Sequence, residues 1–366
     1  MELIRKARET MTARERVRRT FLHETTDRVT IGYEANPAIH ARLARALGIA
    51  GGDGEGVRRA LGVDYRGVGA PYTGPPLFPE KPGRRVDPLE GCYMKWAGHA
   101  SGGYWDFCDF PLQGAGEEEI ANYPVPDPGD FDYDAAAAAA LAGGGDTAVY
   151  IGGPGYPDII NSNGRIMGME DILCHLIDED EAALTLIDRR VDMQLAVLER
   201  LLERCKGRID FLWVGEDLGT QRGPMVSLDL FRRVLRPPHQ RFIDLAKAYG
   251  LPIQIHTCGS SSWAYEDFIE MGMTGVDTLQ PEAAGMAPRY LKDTFGGRLT
   301  FRGCISTAGP LASGTPGDTV RQVRETLDIM MPGGGYHFAP THQIQDHTPV
   351  ENVLAMYQAA HTYGVY

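Results

Sequence analysis

No CxxC pair occurs among the six cysteines of this 366-residue chain, which excludes paired-cysteine zinc knuckles and dithiol redox motifs. Six cysteines (Cys92, Cys108, Cys174, Cys205, Cys258, Cys304) are sparse for this length and read as reduced thiols in a reducing compartment. No apolar run approaches the roughly 20 residues of a membrane-spanning helix, and the opening MELIRKARETMTARERVRRTF has no apolar block, so a cytoplasmic location is expected and a membrane is not. Basic residues are also in the minority. With 36 Lys+Arg against 49 Asp+Glu, a net charge of −13 and no visible basic cluster, a nucleic-acid partner is not expected. A GxGxxG turn between strand and helix is missing as well, since Gly333–Gly335 precede a strand, which argues against a doubly wound dinucleotide fold. What is present is 43% hydrophobic and 23% charged residues. That is a globular composition, long enough for one large α/β barrel or for two ordinary domains.

Thr12 followed by Glu15, ahead of Val17, Phe21 and Leu22, has the form of a capping box and predicts a short amphipathic helix. Between about 50 and 130 the chain is rich in Gly and Pro, with aromatic pieces such as CYMKWAG and GGYWDFCDF. Loops and small hairpins are expected there, arranged as a lid over a site. The run Ala135–Ala140 reads as a short surface helix. β-rich runs at 28–34, 62–67, 147–153, 209–217, 252–259, 276–280, 299–304 and 335–340 are separated, from 179 onward, by helical patterns at 179–205, 227–249, 261–271, 288–295, 315–331 and 350–363. Strands that alternate with helices need crossovers and form a parallel sheet. Eight such units without a compositional break predict a single (β/α)8 TIM-barrel domain over 1–366, with the Gly/Pro-rich segment as an N-terminal insert over its mouth.

A barrel builds its site at the carboxyl ends of its strands. The first strand there offers Glu34, and the fourth offers Glu216 and Asp217 with Thr220, Gln221 and Arg222. The fifth offers His256 and Cys258, the sixth Gln280 and Glu282, the seventh Cys304 and Ser306, and the eighth His342 with Gln343, Gln345 and Asp346. His256 and Cys258 stand two apart, so at an extended strand end imidazole and thiolate face the same side and can share one ion, with Gly259 letting the chain turn. Thiolate with imidazole suits zinc. His342 is the preferred third ligand, with Glu216 or Asp217 as alternatives. His337 is placed in core or lumen, His347 in a polar loop, and Cys304 among the packing cysteines, which are all but Cys258. Glu216-Asp217 reads three ways: as ligand or general base, as an acceptor for substrate, or as adjacent carboxylates of which one faces the mouth.

The pieces MTARERVRRTFLHETTDRVTI, GEDLGTQRGPMVS, IHTCGS, GMTGVDTLQPEAAGM with LKDTFGGRLTFRGCIS, and PGGGYHFAPTHQIQDHTPVENVLAMYQAAHTYGVY resemble the uroporphyrinogen decarboxylase superfamily, and within it the cobalamin-dependent methyltransferase-like branch. The resemblance implies a (β/α)8 barrel. It also implies a departure from the decarboxylases, whose MRQAGRY-type segment after the first strand is replaced here by IGYEANPAIHARLARALG, so decarboxylation of uroporphyrinogen is not expected. His256 and Cys258 match the branch's His-x-Cys zinc pair, while PTHQ stands where the branch often reads PGCG, placing His342 at an expected cysteine. A set poorer in thiolate leaves zinc a stronger Lewis acid, suited to an ether oxygen.

The resemblance therefore implies a zinc-dependent methyltransferase of O-demethylase type. It would move a methyl group from a small methoxylated donor to a corrinoid (cobalamin) on a partner protein, because the chain has no DxHxxG motif of its own. In that reading Glu216, Asp217, Gln221 and Gln280 act on or orient substrate, and Tyr104, Trp105 and Phe107 line an aromatic pocket. A homodimer is the candidate assembly. A zinc-dependent lyase or hydrolase on the same scaffold, or a non-catalytic metabolite-binding barrel, is the alternative.

Overall fold

The computed structural model describes residues 4–142 and 144–366. Eight parallel strands form one sheet: β1 (Thr30–Ile31), β2 (Tyr65–Gly67), β3 (Ala148–Pro157), β4 (Phe211–Gly215), β5 (Ile253–His256), β6 (Gly275–Thr278), β7 (Thr300–Ile305) and β8 (Tyr336–Pro340). Their spatial order is β1-β8-β7-β6-β5-β4-β3-β2. The seam between β1 and β2 is drawn together by Asp64, whose N–H donates to the Ile31 carbonyl (2.9 Å) and whose carboxylate accepts the Ile31 N–H (2.7 Å). The result is a (β/α)8 barrel, and a doubly wound sheet is ruled out. Strands β4 to β8 are buried along their whole length, which is why they read as near-continuous apolar runs.

Helices at Glu181–Arg204, Pro288–Phe295, Pro316–Met330 and Val350–Tyr363 fall where the helical periodicity predicts them. The stretch expected as one helix over 227–249 is broken by a wide turn at Phe231–Leu235 before Arg236–Ala248. Pro237 and Pro238 lack the N–H groups that an α-helical ladder needs there, so the turn opens. Helices at Pro37–Ala46, Ile159–Met167 and Met169–Asp178 were not marked by the sequence pattern, nor was Gly54–Leu61, which lies inside the stretch expected to be loop.

The rest of the Gly/Pro-rich segment holds a three-stranded antiparallel sheet of Arg85–Val86, Tyr93–His99 and Gly102–Cys108. Gly102 lies so close to Asp346 that a Cβ there would sit 2.4 Å from its carboxylate, and Arg165 lays its guanidinium 5.0 Å from the Phe107 ring. Asp346 follows β8 and Arg165 follows β3, so the hairpin meets the barrel at those two corners. Among the described residues no helix is long and apolar enough to cross a membrane. Cys92, Cys108, Cys205 and Cys304 are buried as expected of packing thiols, but Cys174 is exposed on the helix Met169–Asp178.

The helix Ala13–Phe21 closes the amino end of the barrel. Thr12 caps it by accepting the Glu15 N–H (3.1 Å), while the Glu15 carboxylate pairs with Arg19 rather than completing a capping box. Phe21 enters the lumen and meets Phe211 (5.2 Å between ring centroids) and His337 (5.0 Å). Arg16, fully buried, ties this plug to the seam by bonding Asp27 (2.6 Å) and Asp64 (2.6 Å), and Arg28 bonds Asp64 as well.

Burial alone would raise the Asp27 pKa. The Arg16 hydrogen bond, with N–H donors from Thr10 and Met11, instead brings it down to about 2. A depressed carboxylate stabilises the fold above its ordinary pKa of about 4, and that stability is lost as pH falls through the folded value. Asp27→Asn should therefore cost about 1–2 kcal/mol at neutral pH, and the gap from the parent protein should shrink toward about pH 3 in urea unfolding. A gap that stays constant with pH would contradict this account.

Candidate metal centre

The strand register explains the site. His256 stands opposite Asp277, Asp277 opposite Arg302, and Arg302 opposite His337, so one polar residue from each of β5 to β8 forms a continuous row. Each interrupts a largely apolar strand, and a charge buried in a lumen persists only if its neighbour answers it. Arg302, 1% exposed, does so for Asp277 by donating to its carboxylate, and also donates to Tyr65 Oη (2.7 Å) and Glu34 (3.0 Å). Asp277 in turn accepts from His256 Nδ1 (2.9 Å), and the Thr278 hydroxyl lies 2.8 Å from the same nitrogen. This places the imidazole proton on Nδ1 and leaves Nε2 pointing at the mouth. Burial opposes protonation of His256, but Asp277 and Cys258 outweigh it and raise its pKa well above the usual value, so without a cation Nε2 is protonated too and a metal would bind there by displacing that proton.

Cys258 Sγ lies 3.4 Å from His256 Nε2. His342 completes a group: one ligand atom each from His256, Cys258 and His342 falls within 4.8 Å of the others. Two corners of a zinc tetrahedron with ordinary Zn–N and Zn–S bonds are about 3.6 Å apart, so the His256–Cys258 spacing fits. Burial and the neighbouring His256 lower the His342 pKa, keeping that imidazole neutral and able to donate a lone pair. Burial raises the Cys258 pKa against the pull of His256, so without a cation the sulfur is a thiol. The residues present fit a zinc ion, with Asp277 as the carboxylate that orients a ligating histidine.

The backbone around Cys258 is built to hold this arrangement. Asp217 accepts the Cys258 N–H (2.8 Å) through Oδ1 and the Asn161 amide (2.9 Å) through Oδ2. Burial would raise the Asp217 pKa, yet His256, with Nε2 4.0 Å away, and these donors hold it below the carboxylate norm. Asp217 is thus an anion at the edge of the donor group. Gln280 does a similar backbone task, its side-chain oxygen accepting the Gly259 N–H (2.6 Å). Glu216 points elsewhere: it is 1% exposed and accepts the N–H groups of Ile159 (2.8 Å) and Ile160 (2.9 Å), pinning the first turn of the helix after β3. Burial, then the Asp158 charge, raises its pKa. Of the two adjacent carboxylates, only Asp217 reaches the donor group.

Gln221 is exposed, with its carbonyl bonded to the Ala284 N–H (3.0 Å). Tyr104 and Trp105, 54% and 40% exposed, lie on opposite faces of the hairpin, and Trp105 shares its face with Trp96 and Phe107. His337 is buried in the lumen with neither nitrogen bonded, and burial lowers its pKa to about 3. Cys304 is buried, at a left-handed φ of 67°. Glu282 and His347 are exposed.

Sequence reasoning passed over Asp277, Arg302 and Asp158. The first two carried a signal, an acid and a guanidinium inside apolar strand patterns, which burial allows only in pairs. Asp158 follows a bulge in β3, where Gly152 (φ 82°) passes so close to the Trp213 carbonyl that a Cβ would sit 2.2 Å from it. Burial lifts the Asp158 pKa to about 7 despite the Arg165 charge. Only the fold brings it toward β4.

A parallel barrel with two imidazoles and a thiol converging at the carboxyl end of its strands defines a (β/α)8 barrel with a candidate metal site at its mouth. Residues 118–363 match the model of the family described as Uroporphyrinogen decarboxylase (URO-D), and the chain belongs to that family. The matched segment begins after the hairpin, so the N-terminal pieces of the resemblance lie outside it. Among solved structures, a methyltransferase from Methanosarcina mazei is similar over 96% of this chain and 98% of its own, at 16% identity and a TM-score of 0.66, which shows a shared fold. A B12-independent methionine synthase from Shewanella sp. W3-18-1, in complex with selenomethionine, covers 62% of this chain and 64% of its own at 11% identity and a TM-score of 0.37, too low to support any inference. No curated protein matches the sequence.

Gly259 sits at φ 67°, and a Cβ there would lie 2.3 Å from the Gly219 carbonyl oxygen. Gly259→Ala should therefore destabilise the protein by about 2 kcal/mol or more, seen as a lowered Tm. An unchanged Tm would show that the loop after β5 is not held as described.

Proposed function

We propose that this chain is a zinc-dependent methyltransferase that takes a methyl group from a small methoxylated donor and passes it to a corrinoid carried by a partner protein. The observation that carries the reading is the convergence of His256, Cys258 and His342 at the barrel mouth, with Asp277 behind His256. Family membership and the shared fold with a protein described as a methyltransferase agree with it. Zinc held there would supply Lewis acidity to an ether oxygen, stabilising the negative charge that develops as its methyl group leaves.

The protein's own residues have distinct tasks in this scheme. Asp277 holds the Nδ1 proton and so aims Nε2 at the mouth, and Arg302 keeps Asp277 ionised. Asp217 fixes Cys258 through its backbone N–H, and Glu216 fixes the helix at Ile159–Met167 that carries Asn161. Beside Gln343 a cavity of about 520 Å³ opens along the β1–β2 side of the lumen, a size that takes a small molecule. The hairpin with Tyr104 and Trp105 would cover the mouth from above in this scheme. A partner bearing the corrinoid would approach that same face, because a barrel builds its site at the carboxyl ends of its strands.

Incubation with reduced cobalamin and a panel of methoxylated aromatic compounds should give methylcobalamin, read by its absorbance change, and His256→Ala should abolish it. If no methoxylated compound yields methylcobalamin while His256→Ala removes a hydrolytic or lyase activity, the methyl-transfer reading is wrong.

A further inference from the structure

We propose that the hairpin Tyr93–Cys108 is a movable flap held to the barrel by an ionic latch, in which Arg165 grips the hairpin and Asp158 keeps Arg165 in the gripping position. The latch does not depend on which reaction the barrel carries out.

The hairpin is rooted at one end and bare beyond it. Cys92, Tyr93 and Cys108 are buried, but no residue from Met94 to Phe107 is, and Trp96, Tyr104, Trp105 and Phe107 are between 38% and 56% exposed. An arm so exposed has little apolar burial to fix its position on the barrel. Charged groups stand instead at both corners where it meets the barrel. At the tip, Gly102 lies against Asp346, and His99 Nε2 is 3.9 Å from Asp346 Oδ2. At the root, Arg165 Nη1 donates to Glu90 Oε2 (3.3 Å), just before the first long strand, and the guanidinium lies over the Phe107 ring.

Arg165 belongs to the barrel helix Ile159–Met167 and is itself only half-buried, so something must orient it. Its Nη2 is 3.5 Å from Asp158 Oδ2. Asp158 follows the β3 bulge at φ 46°, a left-handed conformation that is costly away from glycine, and its N–H is tied to the Gly215 carbonyl (3.0 Å). One carboxylate oxygen thus stands beside Arg165, while the other, Oδ1, is buried with no partner. The remaining charges around Asp158 come from Glu216 and Asp217 at the end of β4, Glu90 at the hairpin root and His256 at the end of β5. Burial raises the Asp158 pKa, Arg165 pulls it back, and the Asp217 and Glu90 carboxylates add to the rise, which leaves it at about 7. When Arg165 swings away its pull is lost and the carboxyl rises further. The ionised form of Asp158 therefore favours the gripping position, and the grip weakens as pH falls through about 7.

Cys92 and Cys108 report on the root, because lifting the flap uncovers thiols that are 2% and 8% exposed. Alkylation of the full chain by iodoacetamide, with metal chelated so that no cation adds to the charges around Asp158, is read site by site by peptide mass spectrometry. At about pH 8.5, Cys108 in Arg165→Gln should react about fivefold or more faster than in the parent, with Arg165→Lys intermediate and buried Cys205 unchanged. Phe107→Leu, which alters only the flap's side of the contact, should also speed Cys108. Asp158→Asn, which tolerates the same left-handed backbone, should speed it at about pH 8.5, match the parent near about pH 6, and add nothing to Arg165→Gln. Comparison at equal pH cancels the ionisation of the thiol itself. The proposal is overturned by an unchanged Cys108 rate in both Arg165→Gln and Phe107→Leu, or by an equal rise at Cys205. An Asp158→Asn effect that is independent of pH, or that adds to the effect of Arg165→Gln, would overturn it as well.

Discussion

Asp277 is the residue on which the mouth of this barrel depends. It is a fully buried carboxylate between a guanidinium on β7 and an imidazole on β5, and it would be intolerable in the lumen without both. Arg302 neutralises it, which keeps it ionised below its usual pKa even though burial favours the acid form. The ionised form is what fixes the His256 tautomer. A single ion pair, set by the register of three neighbouring strands, therefore decides which nitrogen the site presents.

The remaining structure supports that pair from two sides. From below, the helix Ala13–Phe21 fills the amino end of the lumen and, through Arg16 and Asp64, joins the closing seam between β1 and β2. This keeps Tyr65 where its hydroxyl can accept from Arg302. From above, Asp217, Gln280 and Gly259 hold the loop after β5 so that Cys258 faces His256. Acidic groups thus hold the backbone on one side, as Asp217 does at Cys258, and orient an imidazole on the other, as Asp277 does at His256.

Much of this was legible in the chain. Parallel strands buried on both faces leave apolar runs, so β4 to β8 were readable from that alone, and the i, i+2 spacing at the end of β5 points to His256 and Cys258. His342 was readable because strand ends meet at one mouth. The tasks of Glu216 and Gln280 were not readable. They answer backbone N–H groups on other elements, 57 residues away for Glu216 and Ile159 and 21 for Gln280 and Gly259. Asp277 and Arg302 were visible as charges inside apolar strands, but their pairing needs the register, which no single strand encodes.

The central claim is that one thiolate and two imidazoles share a zinc ion at the carboxyl end of β5. X-ray absorption at the zinc edge, on protein purified with its metal, tests it most directly. The expected result is bound zinc with one sulfur at about 2.3 Å and nitrogen or oxygen neighbours at about 2.0–2.1 Å, the sulfur disappearing in Cys258→Ser. A first shell without sulfur, a shell with two or more sulfurs, or protein that binds no zinc would contradict it.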